Sequence, residues 1–223
     1  VISVALVDDQ PLIRAGLRMI LESQSDLTVC GEGEDGAQAV ELARTAHPDV
    51  MLMDVRMPGG DGIQAIAGVL SASRSTRIVM LTTFDVDDYV YEALRAGASG
   101  FLVKDIAPEQ LVEGVRAILR GDMLLAPSIT RRLVEGYVRR APRRPDDARE
   151  LGSLTGRERD VLTELAHGLS NAEIGLKLHV SEGTVKTHVS RLLAKLGLRD
   201  RVQAVIAAYE LGFVRPGQEQ ASR

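Results

Sequence analysis

The sequence predicts an α/β domain built on an open, doubly wound sheet of five parallel strands, followed by a smaller all-α domain of four helices. Three observations carry this. From residue 1 to about 120, short runs of Val, Ile, Leu and Met alternate with longer segments apolar at every third or fourth position, a strand–helix alternation. After Gly121 that alternation stops. Beyond residue 150 no strand pattern returns, while helix-start signals recur. With 223 residues, 45% of them hydrophobic and 26% charged, the chain has enough apolar material for two cores and is not of the disordered or fibrous class.

The strands read as 2–7, 27–31, 50–54, 78–82 and 100–103, each nearly continuous in apolar residues. Strands apolar on both faces belong in a parallel sheet covered by helices, and Cys30, on the second, is expected to fill core. Between them Pro11 falls at a first helical turn, Asp35 precedes a helix at 37–46, Gly97 follows one at 89–96, and Pro108 opens one at 109–120. Right-handed crossovers wind five such units so that a ligand site lies outside the carboxyl ends of the strands. Residues 121–150 read as a linker, because 141–150 combine two prolines with dense charge; Ile129, Leu133, Val134 and Tyr137 at helical spacing add one short helix within it. In 151–215, Thr155 with Glu158 and Ser170 with Glu173 fit capping boxes. Ser181 opens a third helix, a fourth runs from about Asp200 to Leu211, and 216–223 is a tail.

Charge divides the same way. Residues 1–120 hold 18 Asp and Glu against 10 Lys and Arg, a net of −8; residues 121–223 hold 13 against 17, a net of +4, and the two give the −4 of the whole chain. The second half suits a polyanion, and the first a task that needs acid. A single cysteine makes no internal disulfide, no apolar run reaches the ~18 residues that span a bilayer, and no signal segment opens the sequence, so cytoplasm is the expected address and no membrane the expected partner.

Asp8 and Asp9 directly follow the first strand and Asp54 ends the third. If those strands are neighbours, three carboxylates converge on one crevice. They repel unless a cation joins them, and hard oxygen ligands with room for water suit Mg²⁺; acidic residues that merely end strands and cap helices are the plainer alternative. Thr82 ends the fourth strand and Lys104 follows the fifth, adding a hydroxyl and an ammonium to the same rim. Together these groups make a site for a phosphoryl group. Residues 31–36, GEGEDG, spell a dinucleotide fingerprint, but three acidic side chains would oppose a pyrophosphate, so the stretch reads as a turn and helix cap. The four histidines do not cluster, which argues against zinc.

On the stretches VDDQ (7–10), MDVRMPGGDG (53–62), MLTTF (80–84) and AGASGFLVKD (96–105), residues 1–120 resemble a response-regulator receiver domain, which has the flavodoxin-like fold. The resemblance implies that Asp54 accepts phosphate and that Asp8, Asp9, Asp54 and the main-chain carbonyl of Arg56 hold Mg²⁺. It implies that Thr82 and Lys104 contact phosphoryl oxygens, that Thr82 and Phe101 form the switch, and that Arg56 and Phe84 tune phosphate lifetime.

In the third helix of the second domain, Val185, Val189, Leu192 and Leu196 form a buried stripe. Thr187, Ser190, Arg191 and Ala194 lie opposite, flanked by Lys186 and Lys195, a small, polar and basic face that a major groove admits. Only His179 and Val180 separate it from a short preceding helix, as in a helix-turn-helix. Residues 154–205 resemble the LuxR-type DNA-binding domain almost throughout. That resemblance makes Lys186, Thr187 and Ser190 the groove-facing residues and puts Arg191 and Lys195 on phosphates; relatives often carry a basic residue in place of Ser190. It also implies that part of the stripe Val202, Val205, Ile206 and Tyr209 pairs two DNA-binding domains.

Together the halves resemble a response regulator of the NarL/FixJ type. The implied protein is a transcription factor, not an enzyme on external substrates: a sensor histidine kinase or small acyl phosphate phosphorylates Asp54, which controls homodimerisation and promoter binding, with RNA polymerase a further partner. Two other readings compete. One is a metal-dependent phosphohydrolase, disfavoured because Arg56, which cannot give up its proton, stands where a general acid is wanted. The other is a constitutive DNA binder with a vestigial receiver.

Overall fold

A computed structural model of the chain describes residues 1–57, 60–82, 87–120, 154–211 and 213–214, with the backbone alone at 60–61 and 87–88. The expected linker at 121–150 with its short helix, Phe84, and the tail at 216–223 lie outside the described residues. The chain forms two compact units, Val1–Leu124 and Leu125–Arg223.

The first unit runs β1 (Ile2–Val7), α1 (Pro11–Glu22), β2 (Leu27–Gly33), α2 (Gly36–Ala46), β3 (Val50–Asp54), β4 (Arg56–Met57), β5 (Gly60–Asp61), α3 (Gly62–Ala72), β6 (Arg77–Thr82), α4 (Asp87–Ala96), β7 (Gly100–Val103) and α5 (Pro108–Leu119). The sheet is parallel, in the order β2-β1-β3-β6-β7, so β1 and β3 are neighbours as expected. Its central strands are apolar because both faces are covered: all five residues of β3 are buried, and Val4, Leu6, Val50, Leu52, Val79 and Leu81 share a core with Leu21 of α1 and Leu111 and Val115 of α5.

β2 departs from expectation. It lies at the sheet edge, its burial alternates, and Cys30 is exposed rather than core. A nearly continuous apolar run implies two covered faces, but alternate side chains of this strand, Thr28, Cys30 and Glu32, project from a face open to solvent. The strand also extends to Gly33, so half of GEGEDG is strand and not turn. The capping part of that reading holds: Asp35 precedes α2 and its carboxylate accepts from the Gln38 amide at 2.8 Å. Glu32 is held by Arg14 and Arg18 of α1, at 3.3 and 2.5 Å. The antiparallel pair β4–β5, directly after Asp54, was not foreseen; two residues per strand are too few for any periodicity to register.

Among the described residues the second unit holds α6 (Gly156–Ala166), α7 (Asn171–Leu178), α8 (Glu182–Leu196) and α9 (Arg201–Glu210). Both capping boxes form, Thr155 with Glu158 and Ser170 with Glu173. The α7–α8 turn is tight: His179 adopts φ 56°, and a Cβ on Gly175 would come within 2.8 Å of the Val180 carbonyl oxygen. Val161, Leu162, Leu165, Ile174, Val185, Leu192 and Val205 are fully buried.

The expected pairing stripe on α9 needs correction. Val202, Val205, Ile206 and Tyr209 are 2, 0, 5 and 4% exposed, and the Tyr209 hydroxyl donates to the Ala166 carbonyl at 3.0 Å. Small helices have little apolar surface to spare, and packing α9 against α6 consumes this face. Among the described residues no helix is long and apolar enough to cross a membrane.

Candidate functional site

The site sits where four strands of the first unit end. β1 delivers Asp8 and Asp9, and the Asp8 amide prolongs its pairing with β2 by donating to the Gly33 carbonyl at 3.1 Å. β3, in register with β1 at Val7 and Met53, delivers Asp54. β6 ends on Thr82 opposite Val103, and the Lys104 amide donates to the Thr82 carbonyl at 2.8 Å. All five residues singled out from the sequence therefore meet at one rim.

The three carboxylates offer ligand atoms that lie within 4.8 Å of one another. Lys104 reaches between two of them, its Nζ 2.7 Å from Asp8 Oδ2 and 2.7 Å from Asp54 Oδ2. Asp8 is fully buried, Asp54 is 6% exposed and Thr82 9%. The remaining oxygens take main-chain donors: Asp8 Oδ1 from the Gln10 amide at 2.9 Å, and Asp54 Oδ1 from the Arg56 amide at 3.3 Å. Arg14 holds the Asp8 carbonyl at 2.5 Å. At the turn into α3, a Cβ on Gly62 would lie 2.1 Å from the Asp54 carbonyl oxygen, so only glycine lets the helix start this close to the acid.

Burial pushes the Asp54 carboxyl above its ordinary range, assisted by the charge of Asp8 and opposed by Lys104. Burial presses the Lys104 ammonium downward, but its hydrogen bond to Asp54 and its ion pair with Asp8 outweigh this and its pKa is raised. One ammonium thus bridges two of the three carboxylates. Asp8 Oδ2, fully enclosed, has that ion pair but no well-directed hydrogen bond. A buried oxygen with acceptor capacity to spare, beside two further carboxylates, fits a hard divalent cation with oxygen ligands.

Phe101 is 2% exposed on β7, opposite Met80 and two residues before the partner of Thr82. Arg56 is exposed and carries its guanidinium 5.5 Å over the Tyr89 ring of α4. That contact spans 33 residues and leaves no local mark in the sequence.

In the second unit α8 presents the expected face. Val185, Val189 and Leu192 are buried and Leu196, expected in the same stripe, is only half-buried, while Lys186, Thr187, Ser190, Arg191 and Lys195 are exposed. Lys186 pairs with Glu182 at 2.8 Å, and the Thr187 hydroxyl donates to the Gly183 carbonyl at 3.0 Å. Lys195, assigned to a phosphate, instead has its ammonium 2.6 Å from Glu158 Oε2, on a carboxylate only 3% exposed. Sequence reasoning read Glu158 as a cap and missed this second bond, along with the buried Glu164, which takes Lys177 of α7 at 2.7 Å. Neither contact leaves a local mark in the sequence, because the partners lie 37 and 13 residues apart.

Residues 4–116 match the family described as response regulator receiver domain, and residues 152–208 the family of bacterial regulatory proteins of the luxR type. The chain is 46% identical over 215 residues to the uncharacterized transcriptional regulatory protein YxjL of Bacillus subtilis (strain 168), covering 96% of this chain and 98% of that protein. It is 36% identical over 208 residues to the nitrate/nitrite response regulator protein NarL of Escherichia coli (strain K12), covering 93% and 95%. Among solved structures it resembles the response regulator ChrA of a heme-sensing two-component system, with a TM-score of 0.51, 37% identity, and coverage of 96% of this chain and 98% of that one. An acid-lined crevice on a parallel sheet, a groove-sized basic helix, and relatives matched over nearly their whole length make this chain a member of the DNA-binding response regulators of the NarL/LuxR type, whose receiver domain puts transcription under the control of phosphorylation.

Proposed function

We propose that Asp54 is the phosphoacceptor, that Asp8, Asp9, Asp54 and the main-chain carbonyl of Arg56 hold Mg²⁺, and that phosphorylation controls dimerisation and promoter binding. The observation that carries this reading is the Lys104 bridge, 2.7 Å from each of Asp8 and Asp54 within a group of three converging carboxylates. Mg²⁺, when bound, supplies charge that neutralises phosphoryl oxygens. An Asp54 oxygen forms a bond to phosphorus as the bond from phosphorus to the kinase imidazole nitrogen, or to the acyl oxygen, breaks. Lys104, already beside Asp54, then pairs with a phosphoryl oxygen, and the Thr82 hydroxyl donates to another. Drawing Thr82 toward the dianion changes the space available to Phe101, and the altered face of α4, β7 and α5 favours receiver pairing, release of the DNA-binding unit, or both.

The partners on this reading are a sensor histidine kinase, promoter DNA, a second copy of the chain and RNA polymerase, in the cytoplasm. The chain turns over no external metabolite. Lys186, Thr187 and Ser190 face the groove and Arg191 a phosphate. Incubation with radiolabelled acetyl phosphate and Mg²⁺ tests the acceptor: label is expected on the native chain and absent from Asp54→Asn, and undiminished label on that variant would defeat the assignment. Repeated turnover of a generic phosphate ester would favour a hydrolase instead.

A further inference from the structure

We propose that Lys195 is a positioning residue that fixes the recognition helix to its frame and neutralises no DNA phosphate, with Lys177 doing the same for the helix before it. α6 carries two buried carboxylates, Glu158 at 3% and Glu164 at 5% exposure. Each takes one ammonium from a different helix of the helix-turn-helix: Lys195 near the carboxyl end of α8 at 2.6 Å, and Lys177 in the last turn of α7 at 2.7 Å. Glu158 also accepts from the Thr155 amide at 2.8 Å, so the same side chain closes the α6 cap and grips α8.

What separates Lys195 from the other cations on α8 is the burial of its partner. Lys186 is paired with Glu182, but both side chains are about half exposed, at 46 and 49%, so water can replace either one at little cost when a phosphate approaches. Glu158 has no such option. Were Lys195 to leave for a phosphate, a carboxylate buried against α8 would lose its cation, and breaking one side of a buried pair is far more costly than breaking a surface one. The low pKa of Glu158, about 2, agrees with a carboxylate that this contact keeps ionised at neutral pH. Arg191 is exposed and pairs with no carboxylate among the described residues, which leaves it able to meet a phosphate.

Counterion release discriminates between the roles. Each phosphate neutralised contributes about −0.9 to the slope of log K against log salt on B-DNA. The full-length chain is titrated with a 30-base-pair duplex of mixed sequence over a range of salt concentrations. Lys195→Gln is expected to leave the slope unchanged, whereas Arg191→Gln makes it shallower by about 0.9. In thermal unfolding, Lys195→Gln and Glu158→Gln are expected to lower the midpoint of the C-terminal unit alike, and the double variant no further. Lys195→Arg, which keeps a cation for Glu158, is expected to keep the native midpoint as well as the native slope. A slope shallower by about 0.9 in Lys195→Gln would overturn the proposal. So would additive losses of midpoint in the double variant.

Discussion

Asp8 and Glu158 illustrate how burial decides what a carboxylate can do. Asp8 is fully enclosed and shares its ammonium with Asp54, so the carboxylates of the crevice outnumber the ammonium between them, and a divalent cation could be held there. Binding to the folded state alone stabilises by about 2.7 kcal/mol at a hundred times the dissociation constant. Millimolar Mg²⁺ is therefore expected to raise the thermal midpoint of the receiver, measured calorimetrically, and Asp9→Asn to blunt the rise; an equal response from that variant would remove Asp9 from the ligand set. Glu158 Oε2 takes both the Thr155 amide and the Lys195 ammonium, and the Glu158 pKa falls from 4.5 to about 2, chiefly through the hydrogen bond from Lys195. A depressed carboxyl contributes stability that is complete above the unfolded value and lost as pH falls through the folded one. The native C-terminal unit should thus lose helical circular dichroism progressively between about pH 4.5 and 2. Glu158→Gln should start less stable at neutral pH and show a flatter acid limb.

Among elements, the turn from β3 into α3 controls the site most directly. Gly62 starts α3 so near the Asp54 carbonyl that a methyl group would sit 2.1 Å from it. The backbone must then shift, at a cost of about 1–3 kcal/mol, and Asp54 shifts with it. Gly62→Ala is expected to lower the midpoint and slow acetyl phosphate labelling together; a stable variant with native labelling would show that the turn has slack. In the second unit Thr155 caps α6 and so also locates Glu158, the anchor of α8. Thr155→Ala should cost about 1 kcal/mol as a lost cap. Denaturant unfolding of the C-terminal unit measures it.

At the scale of the molecule, an acidic unit and a basic one divide sensing from DNA binding, and phosphorylation must connect them. Asp54→Ala is expected to abolish any change in duplex affinity on adding acetyl phosphate; a retained response would favour a receiver that no longer acts as a switch. Much of this organisation was legible in linear order. Continuous apolar runs and period-3.6 patterns report how an element is covered, strand ends follow from where apolar runs stop, and capping boxes mark helix starts within a turn. Asp8, Asp9, Asp54, Thr82 and Lys104 were found that way, because parallel topology sends every strand end to one rim. Contacts between elements distant in the chain leave no such trace. Neighbours across the sheet determined that β2 is an edge and Cys30 exposed. The same holds for the inward turn of the apolar face of α9, for Arg56 over Tyr89, and for the Lys195 ammonium on Glu158. Periodicity encodes how a segment is solvated, whereas partners 33 or 37 residues apart are chosen by packing in three dimensions.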